Sequence, residues 1–286
     1  MTAKKKITIA LAAALFLVAV VGAVVCYLQG RYLRTLRKCG PYDSGSYTGG
    51  GHFTYAAADD SCMVLVRQFF NLDSIAGTGD EATRMIRIMT WLHDNIRHDG
   101  WNGFPNGVSH NAIDLYKACK AQNRGLNCCG LSIVLAEMYM ALGWPARFVT
   151  CQSFEYDTDY DCHIICMVWS RALGRWLWMD PTFAAYVMDE HGNLLGPREV
   201  RQRLIDGKPL TINANANWNN EEPETKEEYL DYYMAKNLYY ISSHEHNGFG
   251  HKGVDRGVHY TLTPAGVVID YGTCIHDDDW FWQAAE

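Results

Sequence analysis

A block of helices followed by a β-hairpin predicts an α+β fold, with an apolar helix packed on an antiparallel sheet. Three observations carry that expectation. Leu131, Val134, Leu135, Met138 and Leu142 recur at helical spacing, and Gly143-Trp144-Pro145 then stops the helix. Residues 162–169 and 176–179 alternate around β-branched and aromatic side chains, with a more polar stretch between them. Upstream, Met85, Ile88, Met89, Leu92 and Ile96 mark one face of another helix over residues 82–96.

The elements follow in order. Lys4, Lys5 and Lys6 precede an apolar run over residues 7–28, long enough to cross a bilayer. It is longer than the apolar core of most cleaved signal peptides, so residues 1–30 read as a membrane anchor or signal segment. Basic residues on both sides leave its orientation open. The expectation is a membrane-anchored or secreted protein whose catalytic domain is extracytoplasmic. Residues 31–60, rich in Gly, Ser and Tyr over 40–51, read as a linker, and 61–286 as the folded domain. That domain opens with helices over 62–72 and 80–97 and a turn-rich stretch over 99–107. A third helix, capped by Ser109, runs to residue 121. After the hairpin come a turn over 188–193, a short helix over 197–205 and a polar loop over 213–223. Thr225-x-x-Glu228 is a capping box, opening a helix that carries Tyr229, Tyr232, Tyr233, Leu238 and Tyr239. Residues 259–262 and 267–271 read as a terminal hairpin. There are no internal repeats.

Three short segments carry the chemistry: Asn127-Cys128-Cys129-Gly130 at the start of the apolar helix, Asp161-Cys162-His163 opening one strand, and Trp178-Met179-Asp180-Pro181 closing the next. A thiol at a helix start meets unpaired N–H groups that favour thiolate and can bind an oxyanion. If Trp169 faces Gly174 across a four-residue loop (170–173), the register sets His163 opposite Asp180. Opposed side chains interact, and the carboxylate would fix the imidazole tautomer. Taken alone, Cys128 is as well explained as an inert buried thiol; the paired His and Asp favour a nucleophile.

These segments, with Ala141-Leu142-Gly143-Trp144-Pro145-Ala146-Arg147-Phe148-Val149 and Asp180-Pro181-Thr182, resemble the core of the transglutaminase-like superfamily, of the bacterial exported type. The resemblance covers about residues 61–210 and extends to the helix over 82–96. It implies a papain-like α+β fold and a Cys-His-Asp triad of Cys128, His163 and Asp180. Cys128, not Cys129, lies fifteen positions before Gly143, as the family's nucleophile commonly does. Cys129 would be rotated about 100° around the helix. Two positions depart from the family: Cys129 stands where cross-linking transglutaminases carry Trp, and Ser132 where Ala is common. No acidic loop with calcium-site spacing is evident. Hydrolysis of peptide or protein amides is therefore expected. Acyl transfer to amines, or a non-catalytic peptide- or glycan-binding module, are the alternatives. Gln122 and Trp101 are candidates for oxyanion or substrate contacts.

The rest is exclusion. With 286 residues, 48% hydrophobic and 20% charged, the chain can bury a full-sized core. A net charge of −7 and the lack of a basic, aromatic-interleaved patch argue against nucleic acid as a partner. The ten cysteines show no paired metal-ligand spacing. Cys162-x-x-x-Cys166 lies along a strand, on the face away from His163. His244-x-His246 with His251 sits in a Gly-rich loop, and His276-Asp277-Asp278-Asp279 reads as a turn or helix cap. A Cys128–Cys129 redox pair would strain the peptide between neighbours. No metal and no cofactor are expected.

Overall fold

The structure is a computed structural model that describes Phe16, Val20, residues 30–250 and residues 257–285. Five helices precede the sheet: α1 (Arg31–Leu36), α2 (Ser61–Phe70), α3 (Leu72–Ala76), α4 (Glu81–Asn95) and α5 (Ala112–Gln122). They are followed by the central helix α6 (Cys128–Ala141). Strands β1 (Ala146–Gln152), β2 (Cys162–Ser170), β3 (Arg175–Met179), β4 (Tyr240–His244), β5 (His259–Leu262) and β6 (Thr273–Ile275) form one sheet in the order β6-β5-β4-β1-β2-β3. All neighbours are antiparallel except β5 and β6. The fold class is α+β, as the sequence predicts.

The helix caps show why these segments are helical. Asp60 and Asp80 accept from Cys62 N and Thr83 N at the starts of α2 and α4. The cap of α5 is Asn111, which accepts from Asp114 N, and not Ser109. Helix α6 differs from the one-sided stripe expected, because every residue from Gly130 to Ala141 is buried. It packs on β1 and β2 on one side and on α2, α4 and α5 on the other, so it needs no polar face. Glu137, its one buried acid, accepts from Ala112 N and Gly250 N.

The sheet separates two cores. Ile164, Cys166, Val168, Leu177 and Met179 face α6, whereas Ile165, Met167, Trp176 and Trp178 face a second core. A helix α7 (Pro197–Asp206) and the segment around Tyr229 cover that second core. Arg147 is buried there, its guanidinium 3.5 Å from the Phe53 ring centroid, and donates to the Phe281 carbonyl oxygen (2.6 Å). Residues 31–60 are packed against the domain, not a free linker: Leu36, Cys39 and Phe53 are buried in the second core.

Three expectations on the β-structure are corrected. The hairpin loop is 171–174, so Trp169 faces Trp176 and Ser170 faces Arg175. Gly174 has φ +62°, a turn conformation, and the Ser170 hydroxyl accepts from Leu173 N inside the loop. Val267–Tyr271 is not a strand. The partner of β5 on that side is β6, reached through Gly272 at φ +76°, and it runs parallel. His244, expected in a Gly-rich loop, closes β4, where its ring stacks on His259 at 4.7 Å.

Among the described residues, no helix is long and apolar enough to cross a membrane. The anchor expected over 7–28 lies outside the described residues apart from Phe16 and Val20, as do Cys26 and His251.

Candidate active site

Helix α6 begins at Cys128 because Asn127 is extended (ψ 172°) and its side chain accepts from Gly130 N at 2.9 Å. The thiol is thus at the positive helix end, half-buried, against the start of β2. Ser132 donates to the Ile164 carbonyl oxygen at 3.0 Å, tying the second turn of α6 to that strand. The family departure at Ser132 is therefore a helix–strand tether.

His163 is the second residue of β2 and Asp180 the first residue after β3. The observed register differs by two residues from the one expected, so the two are diagonal rather than directly opposed. A shift of two keeps side chains on the same face, and a diagonal pair is within reach of an imidazole. His163 Nε2 and Asp180 Oδ2 are 2.6 Å apart, and both side chains are buried (2% and 0% exposed). With Nε2 engaged, Nδ1 is the ring nitrogen left for the hydrogen bond to Cys128. The structure thus brings Cys128, His163 and Asp180 together.

The carboxylate is fully engaged. Oδ1 accepts from Thr182 N (2.9 Å), and Oδ2 also accepts from the Tyr229 hydroxyl (2.6 Å). Tyr229 in turn accepts from Trp178 Nε1 at 2.9 Å. Tyr229 sits on a helix with π-type hydrogen bonding, Glu227–Met234, preceded by Thr225, whose hydroxyl accepts from Glu228 N and donates to Glu228 Oε2, in place of the return bond to the Thr225 N–H that the expected capping box would make. Phe183 and Tyr233, at 5.8 and 5.2 Å from the imidazole, flank His163.

These contacts set the charges. Burial pushes the Cys128 thiol up, but hydrogen bonds from His163 and His98, the His163 charge and the Ile164 N–H bring it down to about 6. Burial pushes His163 down, and the Asp180 charge and hydrogen bond, with Cys128, more than offset this and raise it to about 10. Burial pushes Asp180 up, but the His163 charge and the bonds from His163, Tyr229 and Thr182 hold it below the usual carboxylate range. The resting pair at neutral pH is a thiolate beside an imidazolium. Such a pair can attack an electrophilic carbonyl and protonate the leaving group.

The other candidates fall elsewhere. Trp101 is fully exposed and Gln122 is exposed at the end of α5. Among the described residues, neither makes a hydrogen bond or ring contact to the thiol, imidazole or carboxylate, so the structure does not bring them to the site. His98, which reaches the thiol, and Tyr229, which holds the carboxylate, were missed in the sequence. A partial signal for the second is the Thr225 cap ahead of its helix; none marks His98. The nine cysteines among the described residues are free thiols. Asp277 caps the short helix Asp278–Phe281 by accepting from Trp280 N, and Arg198 pairs with Asp278 and Asp279.

Residues 70–181 match the transglutaminase-like superfamily. No curated protein matches the sequence. Among solved structures, a candidate cysteine protease from Cytophaga hutchinsonii is 18% identical with a TM-score of 0.34, over 57% of this chain and 50% of that one. This chain thus spans about half the length of that protein. LapG of Legionella pneumophila (EGTA-treated) is 12% identical with a TM-score of 0.32, over 65% of this chain and 98% of LapG. The segment that matches the transglutaminase-like superfamily begins at the end of α2, contains the central helix and ends one residue after Asp180.

Proposed function

We propose that the protein is a cysteine hydrolase of amide bonds in peptides or proteins, with Cys128 as nucleophile, His163 as proton carrier and Asp180 as the group that orients His163. One observation carries the reading: the bonded line from the thiol through the imidazole to a carboxylate that itself accepts three hydrogen bonds. The Cys128 sulfur adds to the carbonyl carbon, and the π electrons move to oxygen. As the carbonyl re-forms, the C–N bond breaks and the amine leaves with the proton from His163 Nδ1. Neutral His163 then takes a proton from water, whose oxygen displaces the thiolate. Asp180 keeps the ring oriented and favours its charged form at each stage. The departure from the cross-linking enzymes at Cys129 supports water as the acyl acceptor. The apolar run over 7–28 would tether this domain to a membrane or export it, so on this reading the site works outside the cytoplasm.

The test is digestion of a peptide library by the full chain and by Cys128→Ala, with and without a primary amine, read by mass spectrometry. New termini that disappear in Cys128→Ala support hydrolysis. Amine adducts in their place turn the assignment to transfer. Binding of peptides with neither product overturns turnover altogether.

A further inference from the structure

A second histidine reaches the nucleophile, and its position is built by contacts that the triad does not use. Residues 97–99 run beside 125–126 as a short extended pair. Leu126 N donates to Arg97 O (3.1 Å) and Asp99 N to Leu126 O (2.7 Å), with His98 and Leu126 bridged in parallel. That approach requires glycine at 125, because a Cβ there would overlap the Arg97 carbonyl oxygen. His98 is thereby fixed beside Leu126, two residues before Cys128, with its side chain close enough to the thiol to lower it.

The ring's other end is held by a tight hairpin over 217–223. Asn219 and Asn220 both have positive φ (57° and 59°), and Glu221 N donates to Trp218 O at 3.0 Å, the geometry of a type I′ turn. The turn presents two groups to His98. The Asn219 side chain accepts from His98 N (2.6 Å) and donates to His98 O (3.1 Å), gripping the backbone. Trp218 Nε1 donates to His98 Nδ1 at 3.1 Å. An indole N–H has only a proton to offer, so Nδ1 accepts and the ring proton sits on Nε2. His93 anchors the hairpin from beneath, bonding Asn217 Oδ1 (3.0 Å) and the Pro181 carbonyl oxygen (3.1 Å).

We propose that His98 is a second catalytic histidine that acts as a donor and not as a base: its Nε2–H bonds the Cys128 sulfur at rest and the carbonyl oxygen of the adduct, while Trp218 is the positioning residue that fixes its tautomer. The inference deepens the proposed function and rests on Cys128 being the nucleophile. When the C–S bond forms, the sulfur loses its negative charge and the carbonyl oxygen gains it. A donor already bonded to the sulfur is adjacent to that oxygen, as catalysis of the addition requires. His163 remains the only proton carrier.

The experiment needs no substrate. The rate of iodoacetamide alkylation at Cys128 is measured from pH 4.5 to 9 by peptide mass spectrometry in the unsubstituted chain, His98→Ala, His98→Gln and Trp218→Phe. Cys162 and Tyr233, which also act on Cys128, are pushed up by burial and stay protonated over this range. The inference expects a midpoint near 6 in the unsubstituted chain. His98→Ala should raise it by about 1 to 2 pH units, the worth of one hydrogen bond to a charged group. His98→Gln, whose amide N–H can replace Nε2–H, should restore part of the shift, and Trp218→Phe should shift it in the same direction as His98→Ala. A His98→Ala profile that overlays the unsubstituted one, with Cys128 still labelled first, overturns the role of His98 alone. An ordinary thiol midpoint in the unsubstituted chain overturns the nucleophile and this inference together. If His98→Ala does not fold, an unshifted midpoint in Trp218→Phe overturns the tautomer argument.

Discussion

Asp180→Asn is the perturbation that separates an ion-pair account of this site from one in which the three side chains merely pack together. The carboxylate presents acceptors on both oxygens: Oδ1 to Thr182 N, and Oδ2 to His163 Nε2 and the Tyr229 hydroxyl. An amide offers only one acceptor. If its oxygen takes the place of Oδ2, its NH2 faces the Thr182 N–H; in the other orientation it faces two donors. At least one buried donor is left unsatisfied in either case, which costs about 1–3 kcal/mol of stability. The larger effect is on charge. Asp180 is the main group raising His163 to about 10, and the charge on His163 helps hold the thiol at about 6. Without the carboxylate the thiol should return toward its ordinary value near 9, a change of up to roughly 4 kcal/mol at 1.36 kcal/mol per unit. At pH 7 the thiolate fraction then falls from about nine-tenths to a few hundredths or less, so alkylation of Cys128 should slow by roughly 30- to 90-fold. Turnover should fall by more, on the order of 10²–10⁴, because the tautomer is lost as well. The assay is alkylation rate against pH, with denaturant unfolding in parallel. An Asp180→Asn profile that coincides with the unsubstituted one would refute the reasoning even if stability fell as expected.

Three further outcomes follow from the same contacts. Tyr229→Phe removes one of the donors to Asp180 and strands the buried Trp178 Nε1–H, so unfolding in urea should show a loss of about 1–3 kcal/mol. Gly125→Ala forces the 97–99 segment away from 125–126, and should cost about 1–3 kcal/mol while raising the Cys128 alkylation midpoint. A depressed thiol keeps its charge above about 6 and loses it as pH falls through that value, and a raised imidazole keeps its proton below about 10 and loses it above. Turnover should therefore rise through a limb near 6 and fall through one near 10, both belonging to the pair; a single limb near 9 would contradict it.

How much of this was legible in the sequence depended on how local its cause was. Helices with a capping side chain and an apolar face, such as α4 behind Asp80, were readable because cap and face lie within the same residues. Helix α6 was placed correctly but drawn with a single apolar stripe. What buries its remaining faces are α2, α4, α5 and two strands, which no periodicity within the helix reports. The hairpin illustrates how an error can leave a conclusion standing. Treating Gly174 as a strand residue rather than a left-handed turn residue moved the register by two, an even number, so His163 and Asp180 stayed on one face. Strand β4 was missed because the tyrosines before it continue a helical spacing, and its pairing with β1 and β5 is long-range. The segment 31–60 reads as a linker by composition, yet the three apolar residues it buries, Leu36, Cys39 and Phe53, are too widely spaced to form a pattern. Within the site, the family motifs carry Cys128, His163 and Asp180, all inside the matched segment 70–181. Tyr229 and Trp218 lie beyond it and reach the site only through the fold. The Asn219-Asn220 pair was a readable turn signal inside a stretch taken as loop, but nothing in the chain says that this turn faces His98.

The central claim is that one sulfur among ten cysteines is held as a thiolate by its surroundings. Competitive labelling of the folded chain with limiting iodoacetamide at pH 7, followed by peptide mapping, asks this directly. The partly exposed thiols Cys62, Cys129, Cys162 and Cys274 serve as internal references. The account predicts that Cys128 is alkylated at least about tenfold faster than any of them, as a thiol lowered to about 6 requires. Equal rates across the partly exposed thiols, or Cys129 reacting first, would contradict it.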